Sequence, residues 1–202
     1  KTAVSDNDMY YLYSCTKIIT CTAVMQLIEK GIIHLYDPVY KYLPEYEVMR
    51  TANEFDDTLP PHLLKYPEQA DACHYSERQI RIIDLMSMMG GMTYDVASEA
   101  IKKAQIKTKG KGSTRELIEA IAAMPLIYEP GARWHYSLAH DVLAAVAEVV
   151  SKEKFSDYLH KYIFEPLDIT DDMVFSMNET QEKRLSVIYE YDAKTNCIIP
   201  CR

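Results

Sequence analysis

The 202-residue sequence has no apolar run approaching the roughly 18 residues that a membrane-spanning helix needs. It has no excess of positive charge either. Lys and Arg total 22 against 30 Asp and Glu, a net charge of −8. That balance argues against a general nucleic-acid binder, whose affinity comes from neutralising phosphates. The five cysteines include no zinc-type C-x-x-C pair and are odd in number, which favours reduced thiols over a disulfide framework. The basic run of Lys102, Lys103, Lys107, Lys109 and Lys111 lacks the Gly-Lys-Ser/Thr ending of a phosphate loop and is expected to be a solvated loop. The start, Lys1-Thr2-Ala3-Val4, shows neither an initiator methionine nor a signal peptide, so it looks like the cut edge of a longer protein and carries no compartment signal. No internal repeat or domain linker is visible.

What is present is ordinary in bulk. Apolar content of 48% and charged content of 26% fit a soluble globular chain, long enough for one core-bearing domain or two very small ones. The informative stretch is Tyr13-Ser14-Cys15-Thr16-Lys17, which runs into an apolar segment ending at Gly31. Ser14 can cap a helix start, and Gly31 is a fitting stop. Between them Ile18, Ile19, Cys21, Ala23, Val24, Met25, Leu27 and Ile28 cover most of the helix circumference, which predicts a helix buried on most sides. Cys15 and Cys21 are expected to act there as small core side chains.

The spacing has a chemistry. Residues three apart on a helix share a face, so Lys17 is expected beside Ser14, its amine in hydrogen-bond range of the hydroxyl. A serine hydroxyl becomes a useful nucleophile when a neighbouring base takes its proton. Burial and the positive end of the helix dipole both favour the neutral amine that could be that base. Ser-x-x-Lys alone is a weak signal, because Ser151-Lys152-Glu153-Lys154 matches it too. That second match lies in a polar connector and is read as a cap and a solvated lysine.

Downstream, Asp37-Pro38 marks a break before a short helix. Residues 45 to 75 lack periodicity and read as a surface excursion, with His62 and His74 as ordinary surface histidines. Ser76-Glu77-Arg78-Gln79 and Ser113-Thr114-Arg115-Glu116 are capping-box patterns that predict helices through Met89 and up to Pro125. Glu129-Pro130-Gly131 predicts a type II turn delivering Trp134 to Leu138 and then a helix from Ala139 to Val150. Helical spacing resumes from Phe155 to Ile163. Strand-like runs come only at the end, at 173–175, 185–189 and 197–199. Helices followed by strands point to an α+β domain.

Taken in order, these blocks resemble the serine β-lactamase and penicillin-binding-protein superfamily, in its class C-like, esterase-type branch. Tyr13 to Lys17 resembles the nucleophile motif, and Met25 to Gly31 with Leu35 to Val39 and Lys41 to Pro44 resembles the stretch after it. Leu85 to Tyr94 is similar to the family's "LLTHTSGL" region. Pro130-Gly131 with Trp134 to Leu143 resembles its tyrosine motif, and Phe164 to Thr170 the segment that follows. The resemblance implies a β-lactamase/transpeptidase-like α+β fold, of which residues 1–202 would be mostly the helical part, lacking the first strands and the C-terminal sheet strands. It implies an acyl-enzyme formed through Ser14, general-base duty shared by Lys17 and Tyr136, and a Ser14 backbone N–H as half of an oxyanion hole. It implies no cofactor or metal, and a small-molecule ester, amide or β-lactam as substrate. Leu138 stands where the family usually has the Asn of Tyr-x-Asn, a variant that points toward esters, and the third motif (Lys-Thr-Gly or His-x-Gly) is absent. The competing readings are a domain of this fold that binds peptide or cell-wall ligands without catalysis, and an unrelated helical interaction domain.

Overall fold

The structure, a computed structural model, describes residues 4–54 and 72–201. Helices come first: α1 (Thr16–Glu29), then, after the strands β1 (Arg50–Ala52) and β2 (Cys73–Tyr75), α2 (Ile82–Met86), α3 (Glu99–Thr108), α4 (Thr114–Ala122), α5 (Ala139–Ser151), α6 (Phe155–Leu159) and α7 (Glu179–Glu182). The strands β3 (Ile188–Asp192) and β4 (Cys197–Cys201) close the order. The result is a helical layer with two small antiparallel hairpins at its edges, β1 with β2 and β3 with β4.

α5 forms the centre. Ala139, Val142, Leu143, Ala144, Ala145, Val146 and Ala147 are all buried on it, and its alanines let neighbouring helix axes come close. α1 packs on it through Ala23, Val24 and Leu27. The expectation that α1 is buried on most sides holds for one face only. Ile18 is 73% and Met25 50% exposed, because no described residue covers that side. An apolar circumference in sequence does not say which side has a neighbour.

Other expectations are corrected by local contacts. The basic run is not a loop: Lys102, Lys103 and Lys107 lie on α3, whose start is capped by the Ser98 hydroxyl accepting from the Ile101 N–H. Lysine is a good helix former, and the buried Ile101 anchors the helix to the core. The Ser76 pattern does not start a helix. Ser76 Oγ pairs with Thr51 Oγ1 at 2.7 Å. α2 begins one turn later, where the Asp84 carboxylate accepts from the Arg81 backbone N–H and guanidinium. The Ser113 box forms as expected, with its hydroxyl and the Glu116 carboxylate satisfying each other's backbone N–H groups.

The region read as a featureless excursion contains β1 and β2, paired Arg50↔Tyr75, Thr51↔His74 and Ala52↔Cys73. Strands of 3 residues are too short to show a period. His62 lies outside the described residues, whereas the His74 ring bonds Asn53 Oδ1 and Glu129 Oε1. The run at 173–175 forms no strand, and the one at 185–189 becomes strand only from Ile188. All five cysteines are free, and Cys15 is exposed rather than in the core. The second Ser-x-x-Lys match sits at the end of α5, where Lys152 takes a left-handed conformation and Ser151 Oγ accepts from the Glu153 N–H.

Candidate active site

Ser14 lies in a short 3₁₀ turn, Tyr13–Cys15, that leads into α1. Tyr13 takes a positive φ of 44°, a conformation that costs a bulky residue strain and persists only when its surroundings impose it. Two bonds impose it here. The Thr16 hydroxyl donates to the Tyr13 carbonyl at 2.7 Å, and the Cys15 N–H donates to the Leu12 carbonyl at 2.9 Å. The expected capping role of Ser14 is therefore not taken up. Cys15 occupies the N-cap of α1 with no side-chain cap bond. The Ser14 hydroxyl is left to bond elsewhere, and it does so with the Tyr136 hydroxyl, at 2.5 Å across 122 residues of sequence.

Tyr136 is delivered by a clamped loop. Ala132 N–H to Glu129 O closes the turn, with Gly131 at a φ of 79°. Glu129 Oε2 accepts from the backbone N–H groups of Glu77 and Arg78, fixing the turn to its neighbour. Beyond it the chain runs along residues 88–93. Gly131 donates to the Met89 carbonyl, His135 to Met88 and Leu138 to Thr93. The Ser137 side chain, fully buried, accepts from the Ala139 N–H at the start of α5. The aromatic ring of Tyr136 is thus held from both sides of its own segment.

Lys17, on the first turn of α1, does not hydrogen-bond Ser14 among the described residues. Its Nζ instead lies over the Tyr136 ring, 5.0 Å from the centroid, and over Tyr94, at 5.4 Å. The negative faces of these rings attract the ammonium. The two rings are themselves 5.0 Å apart and tilted. Tyr94 ends the stretch similar to the family's "LLTHTSGL" region and was not a candidate site residue in the sequence. Nothing in its spacing pointed to the site, and it gets there because Thr93 is stitched to Leu138.

Two further ionisable residues enter from α5. Burial pushes the Asp141 carboxyl up, and the positive charge of Lys17 acts against that rise. Burial pushes His140 down, so its ring is neutral near neutral pH, and Lys17 adds to that effect. The His140 Nε2 lies 3.3 Å from the Met86 carbonyl and 3.6 Å from Cys21 Sγ. Burial in turn raises the Cys21 thiol. Neither His140 nor Asp141 stood out in sequence, because both read as polar positions on a helix.

Ser14, Lys17, Tyr94, His140 and Asp141 open onto one cavity of about 700 Å³ bounded by α1, α4 and α5. That size falls in the range of roughly 300–1,000 Å³ typical of small-molecule sites.

The beta-lactamase family model matches residues 1–196, so the chain belongs to the beta-lactamase family. The lovastatin esterase of Penicillium rubens is 28% identical over 170 residues, covering 84% of this chain and 40% of that protein. Protein Rv1367c of Mycobacterium tuberculosis is 26% identical over 185 residues, covering 91% of this chain and 43% of the relative. Unliganded simvastatin synthase (LovD) of Aspergillus terreus superposes with a TM-score of 0.71 at 21% identity, covering 98% of this chain and 48% of that one. FmtA of Staphylococcus aureus gives 0.68 at 21% identity, covering 97% and 45%. The fold is thus β-lactamase/transpeptidase-like, and the chain spans less than half the length of these relatives and solved structures.

Proposed function

We propose that the protein of which this chain is part is a serine hydrolase or acyltransferase that forms an acyl-enzyme through Ser14, with an ester as the preferred substrate. The observation that carries the reading is the 2.5 Å contact between the Ser14 and Tyr136 hydroxyls. It rests as well on the esterase and acyltransferase names among the relatives. Tyr136, in contact with the Ser14 hydroxyl and with Lys17 Nζ over its ring, serves as the general base that takes the Ser14 proton while Oγ attacks the acyl carbon. The Ser14 N–H contributes to binding the oxyanion. As the tetrahedral intermediate collapses, Tyr136 returns the proton to the departing alcohol. Water or an acceptor alcohol then attacks the acyl-serine by the reverse route. The Ser14–Tyr136 hydroxyl contact and the position of Lys17 Nζ over the Tyr136 ring support assigning the proton-accepting role to Tyr136 and an electrostatic role to Lys17, in place of the shared base duty expected from the sequence.

The described residues carry few strands, and the apolar face of α1 bearing Ile18 and Met25 is open. We infer that further strands of the family's sheet complete the site on that side. The function is tested by incubating the full-length protein with a fluorophosphonate probe. Labelling that maps to Ser14 and is lost in Ser14→Ala is the expected result. Absent labelling, or labelling that survives Ser14→Ala, would refute it.

A further inference from the structure

The cavity that Ser14 opens onto is chemically uneven. Its lining combines polar side chains, Ser113 and Thr114 at the start of α4 among them, with an apolar wall supplied by Val96, Leu117, Ile118, Ala144, Phe155 and Phe175. Among the described lining residues the formal charges are Lys17 and Asp141, which interact and oppose each other in sign. His140, desolvated, adds no charge near neutral pH. A lining of this kind selects neither cations nor anions, and it rewards burial of apolar surface. Leu138, the residue that precedes α5, adds another apolar lining group.

Building on the acyl-enzyme reading, we propose that the ester processed at Ser14 carries an uncharged apolar group of more than a few carbons, and that this group lodges between α1, α4 and α5. A small acyl unit such as acetyl would leave most of the 700 Å³ to water. A chain or branched ring system of six to ten carbons would displace that water from the aliphatic and aromatic wall. The group can belong to the acyl half or to the alcohol half of the ester, and the two are separated by experiment.

The full-length protein is assayed with p-nitrophenyl esters from acetyl to octanoyl, and in parallel with acetate esters of alcohols of rising length. A rise in kcat/KM of up to about fourfold per methylene, in one of the two series, is expected from burial in an apolar pocket. Succinyl and 6-aminohexanoyl esters, negative and positive, are expected to fall more than about tenfold below hexanoyl. Ala144→Trp, which fills the cavity from α5, is expected to lower the octanoyl-to-acetyl ratio; if that variant does not fold, the two wild-type series decide alone. Flat profiles in both series, or preference for either charged ester, would overturn the proposal while leaving Ser14-dependent turnover intact. Turnover that survives Ser14→Ala would instead overturn the acyl-enzyme reading, and this proposal with it.

Discussion

Ser14 and Tyr136 each depend on the other, and single substitutions separate chemistry from packing. Tyr136→Phe keeps the ring that packs on Tyr94 and lies under Lys17, and removes only the oxygen. Acylation is expected to fall about 10²–10⁴-fold, the range for loss of a general base, with the unfolding free energy within about 1 kcal/mol of wild type by denaturant titration. Collapse of the fold in that variant would show the hydroxyl to be structural. A second residue-scale consequence concerns His140 and His135, both lowered by burial. The folded state resists their protonation, so stability is full above about pH 6.5 and declines as the pH falls below the unfolded-state value. His140→Gln is expected to flatten that decline in a pH series of unfolding midpoints; an unchanged slope would remove His140 from the account. Ser14, Lys17 and Tyr136 could be nominated for the candidate site from the sequence because the motifs that carry them are local. Tyr94, His140 and Asp141 could not, since their place in the site comes from long-range pairing such as Leu138 N–H to Thr93 O.

Among the elements, the loop carrying Tyr136 is held by the segment around Gly91. Gly91 has a φ of 78°, and a Cβ there would collide with the Tyr128 carbonyl oxygen. Gly91→Ala therefore combines backbone strain with a clash against main chain that has no rotamer to yield. It is expected to cost on the order of 3 kcal/mol and to weaken Ser14 labelling as Tyr136 shifts; a variant as stable as wild type would show that the loop is more adaptable than its bonds imply. Asp37, where the break before a short helix was legible, shows the same logic. Burial works to raise its carboxyl, but bonds from the Tyr42 hydroxyl, the His34 N–H and Lys41 overcome this and hold it at about 2. Its contribution is present above roughly pH 4 and lost as the pH falls toward 2. Asp37→Ala, leaving those donors unpaired, is expected to lower stability at neutral pH by about 2–3 kcal/mol, read by denaturant titration, and to match wild type at pH 2. Helix starts marked by a serine with a glutamate or glutamine three residues on were legible at Ser113 and misled at Ser76, where the hydroxyl met Thr51 instead. The pattern is the same in both; only the tertiary partner differs.

At the scale of the whole molecule, the helices α1, α4 and α5 and strand-like runs near β3 and β4 were legible from periodicity and punctuation, whereas α3, read as a loop, and the central place of α5 were not. Nor was the open side of α1, because eight apolar positions around a helix look alike until a neighbour is placed. The chain covers 40–43% of the relatives reported above, so the activity proposed is that of the whole protein. An oxyanion donor contributed from outside these residues would be worth about 10²–10³ in turnover. The 202-residue chain is accordingly expected to show little or no ester hydrolysis beside a longer chain extended in both directions; comparable turnover from the two would show that residues 1–202 hold a complete site. The central claim, that Ser14 is acylated with Tyr136 as its proton acceptor, is tested most directly by intact-mass spectrometry. The full-length protein, mixed with a slowly turned-over ester and quenched within a single turnover, is expected to gain the mass of one acyl group on the Ser14 peptide, at a rate reduced at least about 10²-fold in Tyr136→Phe. An acyl group on any other residue, or acylation of Ser14 at an unchanged rate in Tyr136→Phe, would contradict it.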